Sequence, residues 1–274
     1  MAEYDASTEM EELLEHLEND AEDGPFAHDP SIESIQTPIW REAIWPTELA
    51  RLHCHPVFWG YGVERGDGKS VLVIPGFIAN DLIMLPMRQW MRRIGYKPRA
   101  ANILWNTNCP DKTAADLTRQ VEVMHKRSGR KVILVGHSLG GMLAKAIVQK
   151  VPDLIDRVVT VGSPFRDMVE AHPAVTGVWD YLKVGQGKLV ARHLKASCGT
   201  GYCMCSFVKS MIAPEETDVP QFAIYSRNDG VVGWQSCAEK NPDNNIEVNQ
   251  ASHMGLAFNI NSYKALAKRM AQEI

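Results

Sequence analysis

The sequence predicts an α/β protein with a mostly parallel central sheet, helices covering both faces and one inserted cap. Three observations carry that expectation. Short apolar runs without polar alternation, such as Val71-Leu72-Val73-Ile74 and Val132-Ile133-Leu134-Val135, suit strands buried on both faces. Amphipathic stretches of helical length separate these runs, so strand and helix alternate along the chain. The alternation breaks once, over residues 164–215, where Gly, Pro, Cys and Trp occur with no clean period.

The elements follow in order. Residues 1–24 hold ten acids and no Lys or Arg, and Met10, Leu13, Leu14 and Leu17 share one side if the segment is helical. The rest of the chain carries 23 acids against 29 bases, although the whole has a formal charge of −4. A solvated extension is expected here, a partner-binding tail being the competing reading. Gly24, Pro25, Pro30 and Pro38 mark a linker, so residues 1–38 form an arm outside the core. Trp40, Ile44, Leu49 and Leu52 have roughly helical spacing interrupted by Pro46, which suits packing on the sheet or contact with lipid. After the Gly66-Asp67-Gly68 turn the expected order is strand 71–74, helix 81–94, strand 100–104, helix 112–127, strand 131–135, helix 139–150 and strand 157–161. Strands at 220–226 and 246–249 and a helix at 261–272 complete it. The core is thus expected over 39–163 and 216–274, with 164–215 as a cap or lid above the strand ends.

Composition narrows the function classes. An apolar fraction of 45% over 274 residues is enough for a full core. No stretch of about 18 apolar residues occurs and no signal-peptide pattern opens the chain, so a cytoplasmic protein with at most peripheral membrane contact is expected. Nucleic-acid binding finds no basic–aromatic motif. Of six cysteines, Cys198, Cys203 and Cys205 cluster, but not at the Cys-x2-Cys spacing of zinc pairs. Structural thiols or a local disulfide are expected, with a metal site and oxidative regulation as alternatives.

The chemistry is concentrated in Gly136-His137-Ser138-Leu139-Gly140, which joins an apolar run to a helical stretch. This is the Gly-x-Ser-x-Gly nucleophile elbow in its strand–helix context, which turns a serine outward at the carboxyl edge of a sheet. A serine nucleophile needs a base, and the base needs a carboxylate to hold its tautomer. The expected chain order after such an elbow is acid, then histidine. Asp229, in Ser226-Arg227-Asn228-Asp229-Gly230, follows a strand and is the expected acid, with Asp167 as the spare. His253 is the only histidine downstream of Asp229 and lies on the loop before the final helix, where it can reach back to Ser138. His137 is expected to point away across the elbow, while His172 and His193 fall in the cap. Two backbone N–H groups should form an oxyanion hole: that of Leu139, after the nucleophile, and that of Phe77 in Pro75-Gly76-Phe77, after the first strand.

From Val71 onward the chain resembles the α/β-hydrolase fold serine esterases and lipases. The motifs that carry the resemblance are Pro75-Gly76-Phe77, the elbow with Gly141, Val161-Gly162-Ser163-Pro164, Ser226-Arg227-Asn228-Asp229-Gly230 and Ser252-His253. It is most similar to a bacterial group of lipase-like hydrolases with an Asn-x-Asn-Cys segment, here Asn106-Thr107-Asn108-Cys109, and a Cys-bearing cap. The resemblance implies hydrolysis of a small-molecule or lipid ester by Ser138, His253 and Asp229, with no cofactor and no metal. A serine nucleophile argues against the carboxylate-nucleophile branches of the fold. Phe165, Met168, Trp179 and Phe207 are the expected substrate contacts within an apolar cap. Acyl transfer or thioester or amide cleavage by the same three residues, and a non-catalytic binding protein, are the competing readings.

Overall fold

The computed structural model describes residues 35, 37–166, 171–183, 194 and 205–273. Its centre is a six-stranded parallel sheet, β1 (Ser70–Ile74), β2 (Lys97–Ala100), β3 (Val132–His137), β4 (Ile155–Val161), β5 (Gln221–Tyr225) and β6 (Asn245–Glu247), in the order β2-β1-β3-β4-β5-β6. The helices are α1 (Trp45–Cys54), α2 (Leu85–Arg93), α3 (Pro110–Ser128), α4 (Leu139–Lys150), α5 (Pro173–Lys183), α6 (Ser206–Ile212) and α7 (Ile260–Ala271).

The four inner strands, β1, β3, β4 and β5, divide their apolar residues between two cores, because side chains alternate across a sheet. Val71, Val73, Ile133, Val135, Val159 and Val161 face α1, α2 and α7, where Leu52, Trp90, Tyr263 and Leu266 are buried. Leu72, Ile74, Val132, Leu134 and Val158 face α3 and α4, with Leu117, Val121, Leu143 and Ile147. Burial on both faces explains why these strands lack polar alternation. It also leaves only the strand ends free for chemistry.

The strand order places those ends. The chain builds from β1 to one edge through β2, then crosses back to β3 and grows toward the other edge. Such a reversal opens a crevice outside the carboxyl ends of the two central strands. Here Ile74 lies beside Gly136, so the loop after β1 and the turn after β3 meet there.

Two boundaries differ from the sequence reading by four residues. The strand expected at 100–104 instead ends at Ala100. Beyond it the Asp81 carboxylate accepts from the N–H groups of Ala101 (3.0 Å) and Ile103 (2.9 Å), and Asn102 turns the chain at φ 60°. A side chain thus takes the donors that a neighbouring strand would have used. The helix expected from residue 81 starts at Leu85, because Asn80 Oδ1 first accepts from Leu82 N and Ile83 N, and Pro86 then begins the helix. The proposed acidic helix in the arm, and Met168, Cys198 and Cys203 of the expected cap, lie outside the described residues. Among the described residues no helix is long and apolar enough to cross a membrane.

Leu134 is fully buried in the strand that leads into the elbow. Replacing it with Ala should cost about 2–5 kcal/mol, by lost burial plus the cavity left behind. Urea unfolding midpoints of wild type and Leu134→Ala measure this; a difference under about 1 kcal/mol would mean that the strand is not packed as described.

Candidate active site

Ser138 occupies the sharp junction between β3 and α4, at φ 53° and ψ −127°. A non-glycine residue held there stores about 1–3 kcal/mol of backbone strain. Neighbouring hydrogen bonds hold it: Ser138 N–H donates to Val161 O (2.9 Å), and Gly141 N–H donates to Ser138 O (2.9 Å). The motif glycines are needed for contact rather than flexibility. A Cβ on Gly136 would lie 2.2 Å from Gly140 O, and one on Gly140 would lie 2.2 Å from Ile74 O. Strand β1, the turn and the first turn of α4 therefore pack backbone to backbone, and the serine side chain is left half-buried.

Asp229 and His253 meet from two separate loops. The Asp229 loop leaves β5 and returns its own N–H groups to the carboxylate: Oδ1 accepts from Val231 N (2.8 Å) and Val232 N (2.9 Å). Oδ2 faces His253 Nδ1 at 2.7 Å, and both side chains are nearly fully buried. That contact assigns the proton of the neutral ring to Nδ1, leaving Nε2 as the basic nitrogen. Gly162, at φ 57°, lets the end of β4 pass behind the pair. Burial opposes the imidazolium, but the Asp229 carboxylate, its hydrogen bond and Glu42 outweigh that and raise the His253 pKa above the ordinary imidazole value.

The His137 side chain ends on the histidine loop. Its Nε2 donates to the His253 carbonyl at 2.9 Å, and the two rings lie 5.0 Å apart. Burial and the nearby His253 push its pKa down to about 4. The ring is therefore neutral at pH 7, consistent with an Nδ1 that has no hydrogen-bond partner among the described residues.

The loop after β1 passes directly over the elbow. A Cβ on Gly76 would lie 2.9 Å from Ser138 Cβ, which brings the following Phe77 backbone beside the serine. Asn106, fully buried, braces this loop: its Nδ2 donates to Pro75 O (2.8 Å), and its carbonyl accepts from Ile78 N (3.2 Å). Leu139 opens α4, and first-turn N–H groups lack intrahelical partners. Of the expected substrate contacts, Trp179 packs edge-on against Phe77 with ring centroids 5.2 Å apart. Phe165 and Phe207 are buried in the core on the α3 and α4 side, together with Val208 and Met211 of α6.

Two further residues were not legible in the sequence. Glu42 and Glu48, from the segment Ile39–Ile44 and from α1, reach the loops that carry Asp229 and His253. Neither sits in a motif, and their partners are about 190 to 210 positions away. Of the residues expected to cover the sheet or touch lipid, Leu52 is in the core and Leu49 packs against it, whereas Trp40 is exposed.

The sequence model of the α/β-hydrolase fold matches residues 92–204. The chain has the α/β-hydrolase fold. Solved structures share its fold. The mature lipase BlEst2 of Bacillus licheniformis superposes with a TM-score of 0.54 at 15% identity, over 77% of this chain and 96% of that one. The lin2722 gene product of Listeria innocua gives 0.52 at 17% identity, over 76% and 96%. Lipase B of Aspergillus fumigatus gives 0.51 at 12% identity, over 75% and 53%. At these identities the likeness is one of fold.

Neutral His137 makes the folded chain acid-sensitive. Its folded pKa lies below the unfolded value of about 6.5, so its contribution to stability is complete above that pH and is lost as the pH falls toward about 4. Across that window the unfolded chain takes up a proton that the folded one refuses, a slope of about 1.4 kcal/mol per pH unit. His253, shifted the other way, contributes stability below about 6.5 and loses it as the pH rises through its folded value. Urea unfolding at pH 7.0 and 4.5 should show a smaller drop for His137→Gln than for wild type; equal drops would assign the acid sensitivity elsewhere.

Proposed function

We propose that this α/β hydrolase is a serine hydrolase that cleaves carboxylic esters through an acyl-enzyme. One observation carries the reading: a strained, half-buried serine at the elbow shares the carboxyl edge of the sheet with a buried His–Asp pair, joined through Nδ1 so that Nε2 is the basic nitrogen. Its supports are the chain order of the three residues and the braced Phe77 loop against the serine.

In this mechanism His253 Nε2 takes the Ser138 hydroxyl proton while Oγ attacks the acyl carbon. The carbonyl oxygen becomes an oxyanion held by the N–H groups of Phe77 and Leu139. His253 then passes its proton to the departing alkoxide as the C–O bond breaks, and the alcohol leaves. Water, deprotonated by the same nitrogen, attacks the acyl carbon; the C–Oγ bond breaks, Ser138 Oγ takes the proton back from Nε2, and the acid leaves. Asp229 keeps the proton on Nδ1 and stabilises the imidazolium that forms twice in the cycle. Of the apolar residues expected to line the acyl site, Met168 lies outside the described residues and Phe165 and Phe207 are buried in the core, which leaves Trp179. Trp179 is favoured among them by its packing on Phe77.

Initial rates on p-nitrophenyl esters from acetate to palmitate test the reaction. Ser138→Ala should lower kcat by about 10⁶-fold, and a fluorophosphonate probe should label wild type at Ser138 only. Retained hydrolysis in Ser138→Ala would remove the proposed nucleophile. Labelling without hydrolysis of any ester would redirect the assignment to acyl transfer or to a thioester or amide.

Because Asp229 raises the His253 pKa, the acid limb of kcat/KM should have its midpoint above 6.5, with rate lost as His253 protonates. Asp229→Asn should lower kcat by about 10⁴-fold. A midpoint well below 6.5, or a loss under tenfold, would contradict the roles given to the pair.

A further inference from the structure

Glu42 ties together the two loops that bring Asp229 and His253 into contact. Its Oε1 accepts from Gly230 N (3.1 Å) and from His253 N (2.9 Å), and its Oε2 accepts from Met254 N (2.9 Å). Gly230 follows Asp229 directly, so one carboxylate spans the acid loop and the histidine loop.

The segment that presents Glu42 is itself anchored. Leu52 of α1 is fully buried, and Trp45 packs on Phe258 with ring centroids 5.6 Å apart. Glu48 accepts from Ser252 Oγ (2.9 Å), which in turn accepts from Gly255 N (2.9 Å). Thr37 and Pro38 lie over the acid loop: a Cβ on Gly230 would be 3.2 Å from Pro38 O and 3.4 Å from Thr37 O. Glu42 is therefore held at the two loops by three hydrogen bonds, on a segment that leads into the packed helix α1.

Resting on the serine-hydrolase reading above, we propose that Glu42 is a positioning residue of this site. It fixes the separation of the Asp229 and His253 loops and places a negative charge behind the imidazolium. Three N–H donors from two loops fit that task, because a carboxylate accepts on both oxygens and strengthens each bond by its charge. The charge sits against the backbone of His253 itself, and it contributes to the raised basicity of that ring. The ionisable groups facing His253 are Asp229 from the β5 loop, Glu42 from the N-terminal segment and His137 from the end of β3. Glu48 lies behind them, on Ser252.

Glu42→Gln separates charge from shape. The amide keeps an oxygen for Gly230 and His253 but turns an NH₂ toward Met254 N–H and carries no charge. Histidine-ring NMR titration of the full chain should show the His253 pKa falling by about half a unit. The acid limb of kcat/KM should move to lower pH by the same amount, because less charge stabilises the imidazolium. At the plateau kcat should fall by about tenfold with KM little changed. Glu42→Asp keeps the charge but shortens the reach, and should lower kcat while moving the titration less than Glu42→Gln does. A lowered Tm with unmoved titration, acid limb and kcat would make Glu42 a purely structural tie and overturn the proposal. Should Glu42→Gln fail to fold, an unchanged kcat in Glu42→Asp would overturn it equally. A wild type that neither labels with fluorophosphonate nor hydrolyses esters would sink the hydrolase reading. The titration would still show whether Glu42 sets the basicity of His253.

Discussion

Ser138 sits at φ 53° and ψ −127° in a turn that no side chain may crowd, and the whole carboxyl edge of the sheet is arranged around that constraint. The strain is sustainable because the strands on either side are buried on both faces and cannot yield. β1 supplies the carbonyl against which Gly140 packs, and β4 supplies the acceptor for Ser138 N–H. A small slip of either neighbour would relax the turn and withdraw the serine. The hydrophobic effect thus reaches the chemistry indirectly, through two cores that fix three strands.

Around that turn, polar groups are satisfied by reaching across the chain. Asp229 takes two N–H groups of its own loop and gives its other oxygen to His253. His137 donates to the His253 carbonyl, and Glu42 accepts from the His253 N–H. His253 is consequently held at its ring, its carbonyl and its amide by three different elements. Loops alone are poorly determined; this one is fixed by bonds to β3, to the β5 loop and to the N-terminal segment. Burial costs the imidazolium, and two carboxylates offset that cost, which is the electrostatic arrangement a general base requires.

The parts that were legible in the sequence are those governed by local pattern. The strand expected at 131–135 and the helix at 139–150 appear as Val132–His137 and Leu139–Lys150, because an apolar run ending in closely spaced glycines has few alternatives. The strand expected at 100–104 misled for the same kind of reason. Ala101, Ile103 and Leu104 look like a buried run, but the Asp81 carboxylate, about 20 residues upstream, takes the backbone N–H groups of Ala101 and Ile103. Apolar character along a run does not report which partner its N–H groups will find.

By itself, then, the sequence determined the alternation of strand and helix, the position of the elbow, and the order in which a serine, an acid and a histidine follow one another. Those features depend on periodicity and on residue type over a few positions. Only the tertiary structure decided that the segment Ile39–Ile44 reaches the loops of Asp229 and His253, that His137 ends on a carbonyl 116 residues away, and that Asn106 braces the loop carrying Phe77. Each of these is a polar group meeting a distant backbone atom. Such pairings are set by how the sheet closes and where its loops fall, and no local stretch of residues encodes them.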